Sequence, residues 1–91
     1  MIHLSKYDKS IQNLLSRPTP VDFTYDEVYT ILTHNGYSEI EGSGSRVSFG
    51  PNGEGNMLDL HKPHGGGAKA GILKKYQIQK IIKFLKEDGK L

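Results

Sequence analysis

The chain has 91 residues, with 12 Lys and Arg against 10 Asp and Glu, 35% hydrophobic residues and no Cys. That length suits one small domain with one core, and the lack of Cys excludes a disulfide scaffold, a thiolate zinc site and a Cys nucleophile. No apolar run reaches the ~18 residues of a bilayer span. Met1 to Lys6 lacks the apolar core of a signal peptide, so a cytoplasmic protein with no membrane partner is expected. The charge is unevenly spread. Residues 1–60 carry four basic against eight acidic side chains, a net −4, whereas residues 61–91 carry eight Lys against Glu87 and Asp88, a net +6. A basic segment of this kind suits a polyanion or an acidic protein partner, and it is also what a solvated Lys-rich helix looks like.

Taken in chain order, Leu4, Tyr7, Ile11, Leu14 and Leu15 recur at helical spacing and predict a short helix over 4–15. Arg17-Pro18-Thr19-Pro20 stops it, because each proline lacks a donor and restricts the residue before it. Residues 1–20 thus read as an N-terminal helix and linker, and residues 21–91 as the main domain. The next helix has a strong local start signal. Thr24 is placed as N-cap, Glu27 completes a capping box, and Phe23 and Val28 are spaced for a hydrophobic staple. Val28, Ile31 and Leu32 extend the apolar stripe, and Asn35-Gly36 provides the stop, predicting a helix over 24–35.

Three strands are expected next: Tyr37 to Glu41, Ser45 to Phe49, and Met57 to Lys62. In the second, Val47 and Phe49 alternate with Arg46 and Ser48; in the third, Leu58 and Leu60 alternate with Asp59 and His61. Gly50 to Gly55 has the composition of a hairpin loop. After a glycine-rich stretch at 65–71, Ile78, Ile81, Ile82 and Leu85 fall at i, i+3, i+4 and i+7, predicting a final helix over 75–88 that Gly89 ends. Both later helices are expected to cover the Val47, Phe49, Leu58, Leu60 face. Arg46, Ser48, Asp59 and His61 would lie on the other. The fold class is then α+β, with a three-stranded antiparallel sheet, helices on one face, and an extra N-terminal helix. The main domain has the α-β-β-β-α order of double-stranded-RNA-binding domains.

The densest polar cluster is His61-Lys62-Pro63-His64. A metal site is disfavoured, because two His three apart suit a helix better than a strand running into proline, and no third His is near in sequence. His64-Gly65-Gly66-Gly67 has the form of a lipase oxyanion loop, but the chain has no Gly-x-Ser-x-Gly elbow to serve it. The glycine-rich stretch also lacks the Gly-Lys-Ser/Thr ending of a phosphate loop. Two readings remain open on spacing alone. Both His are ordinary polar residues at a strand end, or they serve RNA chemistry, where an imidazole near neutral pKa activates a ribose 2′-hydroxyl against the adjacent phosphate. Gly42-Ser43-Gly44-Ser45-Arg46 is either a simple strand connection or a place where small neighbours let Arg46 grip phosphate. His3 and His34 have no supporting cluster and read as surface residues.

One ordered set of segments carries a family resemblance. Phe23-Thr24-Tyr25-Asp26-Glu27 with Leu32 and Gly36-Tyr37, then Gly44-Ser45-Arg46-Val47-Ser48-Phe49, then Leu60-His61-Lys62-Pro63-His64, then Leu73-Lys74-Lys75-Tyr76-Gln77-Ile78 with Ile81-Ile82, resembles HicA-type toxins of bacterial toxin–antitoxin pairs. The likeness covers about residues 21–88. It implies a double-stranded-RNA-binding-like fold, metal-independent cleavage of mRNA without a cofactor, and neutralisation by a HicB-like antitoxin. Many members carry Gly-Ser-His on the second strand, with that His catalytic; here Arg46 stands at the matching position. His64 matches a second His kept after the third strand. The implied roles are His64 as general base, His61 as supporting acid or orienting group, and Arg46 with Lys62 on the phosphate. Ser45, Ser48, Lys69, Lys74 and Lys75 are the further RNA-contacting candidates. The alternative is a non-catalytic RNA-binding or protein-binding module of the same fold.

Overall fold

The computed structural model describes residues 5–63 and 71–91. Helix α1 spans Lys6–Leu14, α2 Tyr25–His34 and α3 Lys75–Glu87; strands β1 (Ser38–Glu41), β2 (Arg46–Gly50) and β3 (Leu58–His61) lie between α2 and α3. The strands form one antiparallel sheet in the order β1-β2-β3. After α1, the order is therefore the expected α-β-β-β-α, and the fold is α+β. Every expected element is present, with ends moved by a few residues. No helix among the described residues is long and apolar enough to cross a membrane.

The start of α2 is set locally. The Thr24 hydroxyl accepts from the Glu27 N–H, and the Glu27 carboxylate accepts from the Thr24 N–H, both at 3.3 Å. Phe23 and Val28 on either side of the cap are buried. At the far end Gly36 adopts φ +90°, and its N–H and that of Tyr37 bond the Thr33 and Leu32 carbonyls. That pair of bonds satisfies two carbonyls the helix end leaves over, and it needs a residue that tolerates positive φ.

Helix α1 begins two residues later than its apolar spacing suggests, because Ser5 caps it and closes a capping box with Asp8. It is joined to the rest of the molecule rather than held apart by the Pro18–Pro20 segment. Leu14 belongs to the same buried cluster as the sheet and the other helices, and Tyr7 and Ile11 pack against that cluster. Polar contacts add to this. Asn13 donates to Glu27 at 3.1 Å, Lys6 pairs with Asp26 at 2.6 Å, and the Tyr7 ring stacks on His34 with centroids 3.7 Å apart.

The main core lies on one face of the sheet. Val47, Phe49, Leu58 and Leu60 point into it and meet Phe23, Val28, Ile31 and Leu32 from the α2 side and Leu73, Ile78, Ile81, Phe84 and Leu85 from the α3 side. Burying each of these larger side chains is worth about 1.5–3 kcal/mol. Two devices place α3. The segment before it pairs with the segment before α2: Leu73 N–H bonds the Phe23 carbonyl at 2.8 Å, and Tyr25 N–H bonds the Gly71 carbonyl at 2.7 Å. At its C-terminus, Asp88 accepts from the Tyr37 hydroxyl and from the Gly53 N–H, tying the helix end to the turn between β2 and β3.

Candidate functional site

The alternation of β2 and β3 sorts their side chains into two sets. Arg46 and His61 are direct cross-strand partners, as are Ser48 and Asp59. All four lie on the face that no helix covers, and Arg46, Asp59 and His61 are exposed. Ser48 donates its hydroxyl to Asp59 Oδ1 at 2.6 Å. From α3, Lys80 reaches back to donate to the Asp59 carbonyl at 2.5 Å, which brings a cation to the same surface. A shallow cleft of about 430 Å³ is lined by Arg46, Ser48, Asp59, His61 and Lys80, with Ile40, Glu41 and Ser43 at its β1 end.

A second cleft of about 430 Å³ lies on the other side of His61, lined by Ser45, Lys62, Pro63, Lys74, Tyr76 and Gln77. His61 therefore borders both. Its backbone is held from behind by Gln77, which is 4% exposed. The Gln77 side-chain oxygen accepts from the His61 N–H at 2.8 Å, and its amide nitrogen donates to the His61 carbonyl at 3.2 Å. A buried amide matched at both ends fixes the strand end that carries His61 and avoids an unpaired buried donor.

Lys62 is directed elsewhere. It follows His61, so its side chain lies on the helix-covered side of the sheet. There it pairs with Glu41 at 2.6 Å and sits 5.5 Å from the centre of the Tyr25 ring. The hydrogen bond and charge of Lys62 hold the Glu41 carboxyl below its ordinary value, and the Glu41 hydrogen bond pushes Lys62 up in turn. The Tyr25 hydroxyl donates to Glu39, and burial together with that acceptor pushes its pKa well above the ordinary value. Lys62 thus belongs to a cluster with Glu39, Glu41 and Tyr25, across the sheet from Arg46.

The expected residues accordingly divide. Arg46, Ser48 and His61 share the open face. Ser45 and Lys74 meet His61 at the second cleft, while Ser45 also uses its carbonyl to accept from Lys62 N–H at 2.7 Å. Lys75, in the first turn of α3, is exposed just beyond. His64, Lys69 and all of the glycine-rich stretch before Gly71 lie outside the described residues, as does His3. Two residues not singled out from the sequence stand at the site. Tyr76 is 56% exposed beside His61 and Lys74, and Lys80 lies on the open face. The signal for Tyr76 was an aromatic among lysines, off the Ile78, Ile81, Leu85 stripe.

The electrostatics of α3 differ from those of α1 and α2. Lys74 occupies the N-cap position without a side-chain cap, and the first turn contains no acidic residue. Lysines there oppose the helix dipole. Among the described residues, Lys74 and Lys75 have no ion-pair partner. No three His, Cys, Asp or Glu side chains among the described residues gather into a group that could hold a metal ion. No family model matches the chain, and no curated protein or solved structure matches it.

Proposed function

We propose that the protein is a toxin of a toxin–antitoxin pair, a metal-independent endoribonuclease that cuts mRNA in the cytoplasm and is neutralised by a HicB-like antitoxin. The observation that carries this reading is the cross-strand pairing of Arg46 with His61 on an exposed sheet face. The two residues are fifteen positions apart in sequence, and both belong to the segments that resemble HicA-type toxins.

In this reading an imidazole takes the proton of a ribose 2′-hydroxyl, the 2′-oxygen attacks the adjacent phosphorus, and the 5′-oxygen leaves with a proton from a second group. The products are a cyclic phosphate end and a 5′-hydroxyl end. His64 is the base implied by the resemblance, and His61 supplies the acid or orients the ribose. Arg46, always charged, steadies the charge that builds on the phosphate oxygens. Lys80 adds a second cation to that surface. Lys74 and Lys75 hold the neighbouring phosphates, and Tyr76 offers a ring on which a base can stack. Lys62 serves here by ordering the Glu41 and Tyr25 cluster rather than by gripping phosphate.

A second reading, RNA binding without cleavage, is favoured by one observation. Position 46 holds Arg where the family pattern has its catalytic His, and Arg cannot accept a proton at neutral pH. Labelled RNA incubated with free protein in EDTA separates the two. Fragments support the nuclease. A shifted but intact band supports the binder. Neither fragments nor a shift at low salt, where lysine–phosphate contacts are strongest, contradicts both.

A further inference from the structure

The two edges of the sheet are finished differently. Gly42 N–H bonds the Arg46 carbonyl, continuing the register that pairs Ile40 with Ser48 and Ser38 with Gly50. Backbone groups alternate in direction along an antiparallel pair, so Glu39 and Glu41 turn their N–H and C=O groups away from β2. The same alternation, anchored by Lys62 N–H on the Ser45 carbonyl, makes Asp59 and His61 the outward residues of β3. That edge is closed by α3: Gln77 takes both outward groups of His61, and Lys80 takes the Asp59 carbonyl. Among the described residues, the outward groups of Glu39 and Glu41 have no partner of either kind. Most of β1 is exposed, Ile40 to 53%.

A row of unpaired strand groups accepts another strand. We infer that the β1 edge docks an extended strand of a partner protein in which cationic and apolar side chains alternate. The charges on β1 select this occupant. Glu39 and Glu41 lie opposite Phe49 and Val47 on the helix-covered side, and Ile40 lies opposite Ser48 on the open side. One oxygen of Glu39 accepts from Tyr25 and one of Glu41 from Lys62, which leaves the other oxygen of each without a hydrogen-bond partner among the described residues. A second copy of this chain, paired antiparallel through β1, sets Glu39 against Glu39 or Glu41, or Glu41 against Glu41, in each register centred on the strand. Like charges directly opposite one another are destabilising. A strand with Lys or Arg at alternate positions meets both carboxylates, and its intervening apolar side chains lie beside Ile40. This docking needs neither Arg46 nor His61, so it stands or falls separately from RNA cleavage.

The test titrates short synthetic peptides into the isotopically labelled full chain and follows backbone amides by NMR. One peptide alternates lysine and valine. A second is the same but N-methylated at its lysine amides, which must point at β1, and a third is N-methylated at its valine amides, which point away. A fourth has glutamate for lysine. The expected result is protection from exchange at Glu39 and Glu41, with His61 unaffected, for the first and third peptides. The second should bind about tenfold more weakly or worse, and the fourth should not protect β1. Equal binding of the second peptide would mean charge attraction without strand pairing and would overturn the proposal. So would equal protection by the glutamate peptide, no protection of Glu39 and Glu41 by the lysine–valine peptide, or protection of the same amides by self-association of the chain or by RNA.

Discussion

Helix α2 begins with Thr24 and Glu27 satisfying each other's backbone donors, whereas α3 begins behind Lys74, whose side chain caps nothing. The first turn of α2 holds Asp26 and Glu27, in accord with the helix dipole; the turn that opens α3 holds Lys75 next to Lys74, against it. What keeps α3 in place is tertiary: Ile78, Ile81, Phe84 and Leu85 in the core, and Gln77 on the end of β3. Helix α2 thus carries its own start signal. The start of α3 lacks that local support and brings Lys74 to the cleft beside His61. In the proposed function a bound phosphate reverses that unfavourable arrangement, so the same lysines that weaken the free helix strengthen the complex.

Substitutions can break this contrast at several levels. The largest effect is expected at Ile81, fully buried on the α3 stripe: Ile81→Ala should cost about 2–5 kcal/mol in urea unfolding. Gln77→Ala comes next. It strips both partners from the His61 backbone and should cost about 1–3 kcal/mol, and it should broaden the His61 amide signal while leaving that of Glu39 sharp. Exchanging the two start signals sharpens the comparison further. Thr24→Ala should destabilise by about 1 kcal/mol, and Lys74→Ser should stabilise by up to about that amount by giving α3 a cap. In the proposed function the second substitution should also weaken RNA binding and flatten its dependence on salt, because Lys74 would no longer hold a phosphate. A Lys74→Ser protein that is more stable and binds RNA unchanged would contradict the link between the two properties.

The smallest effect concerns acid. The Tyr37 hydrogen bond, then the Gly53 N–H, hold the Asp88 carboxyl below its ordinary value of 3.8. A lowered folded value favours the fold above the unfolded value and loses that contribution as pH falls through the folded one. Stability should therefore decline with acid below about pH 4, and Asp88→Asn should flatten that limb without moving the plateau's slope near neutral pH. At the other extreme, burial and then Asp88 raise the Tyr37 hydroxyl above its ordinary value of 10.0. That contribution is complete below the unfolded value and is lost as pH climbs through the folded one, which Tyr37→Phe should blunt.

Much of this was legible in the sequence because it is encoded over short distances. The Thr24–Glu27 box, the Asn35-Gly36 stop and the period-two alternation of residues 46–49 and 58–61 are local patterns. The alternation alone was enough to put Arg46 and His61 on one face. It also carried the correct side for Lys62, which follows His61 and so points with Leu58 and Leu60; clustering by sequence proximity obscured that. The rest depended on contacts between distant residues. Nothing local marks Gln77 as the partner of His61, Lys80 as the partner of Asp59, or Glu41 as the residue that engages Lys62. For α1 the sequence left two alternatives, a longer partner-binding surface or pairing with the core, and Leu14, Tyr7 and Asn13 realise the second through residues distant in sequence.

In the proposed function, the open face carrying Arg46 and His61 is where RNA is held and cut. The most direct measurement is the rate of cleavage of labelled RNA in EDTA by the free protein and by His61→Ala, with Lys86→Ala as a control on the far part of α3. Fragments are expected from the parent protein, with a rate lower by about 10²–10⁴ for His61→Ala and little change for Lys86→Ala. Cleavage by His61→Ala at the parent rate would contradict the proposed function.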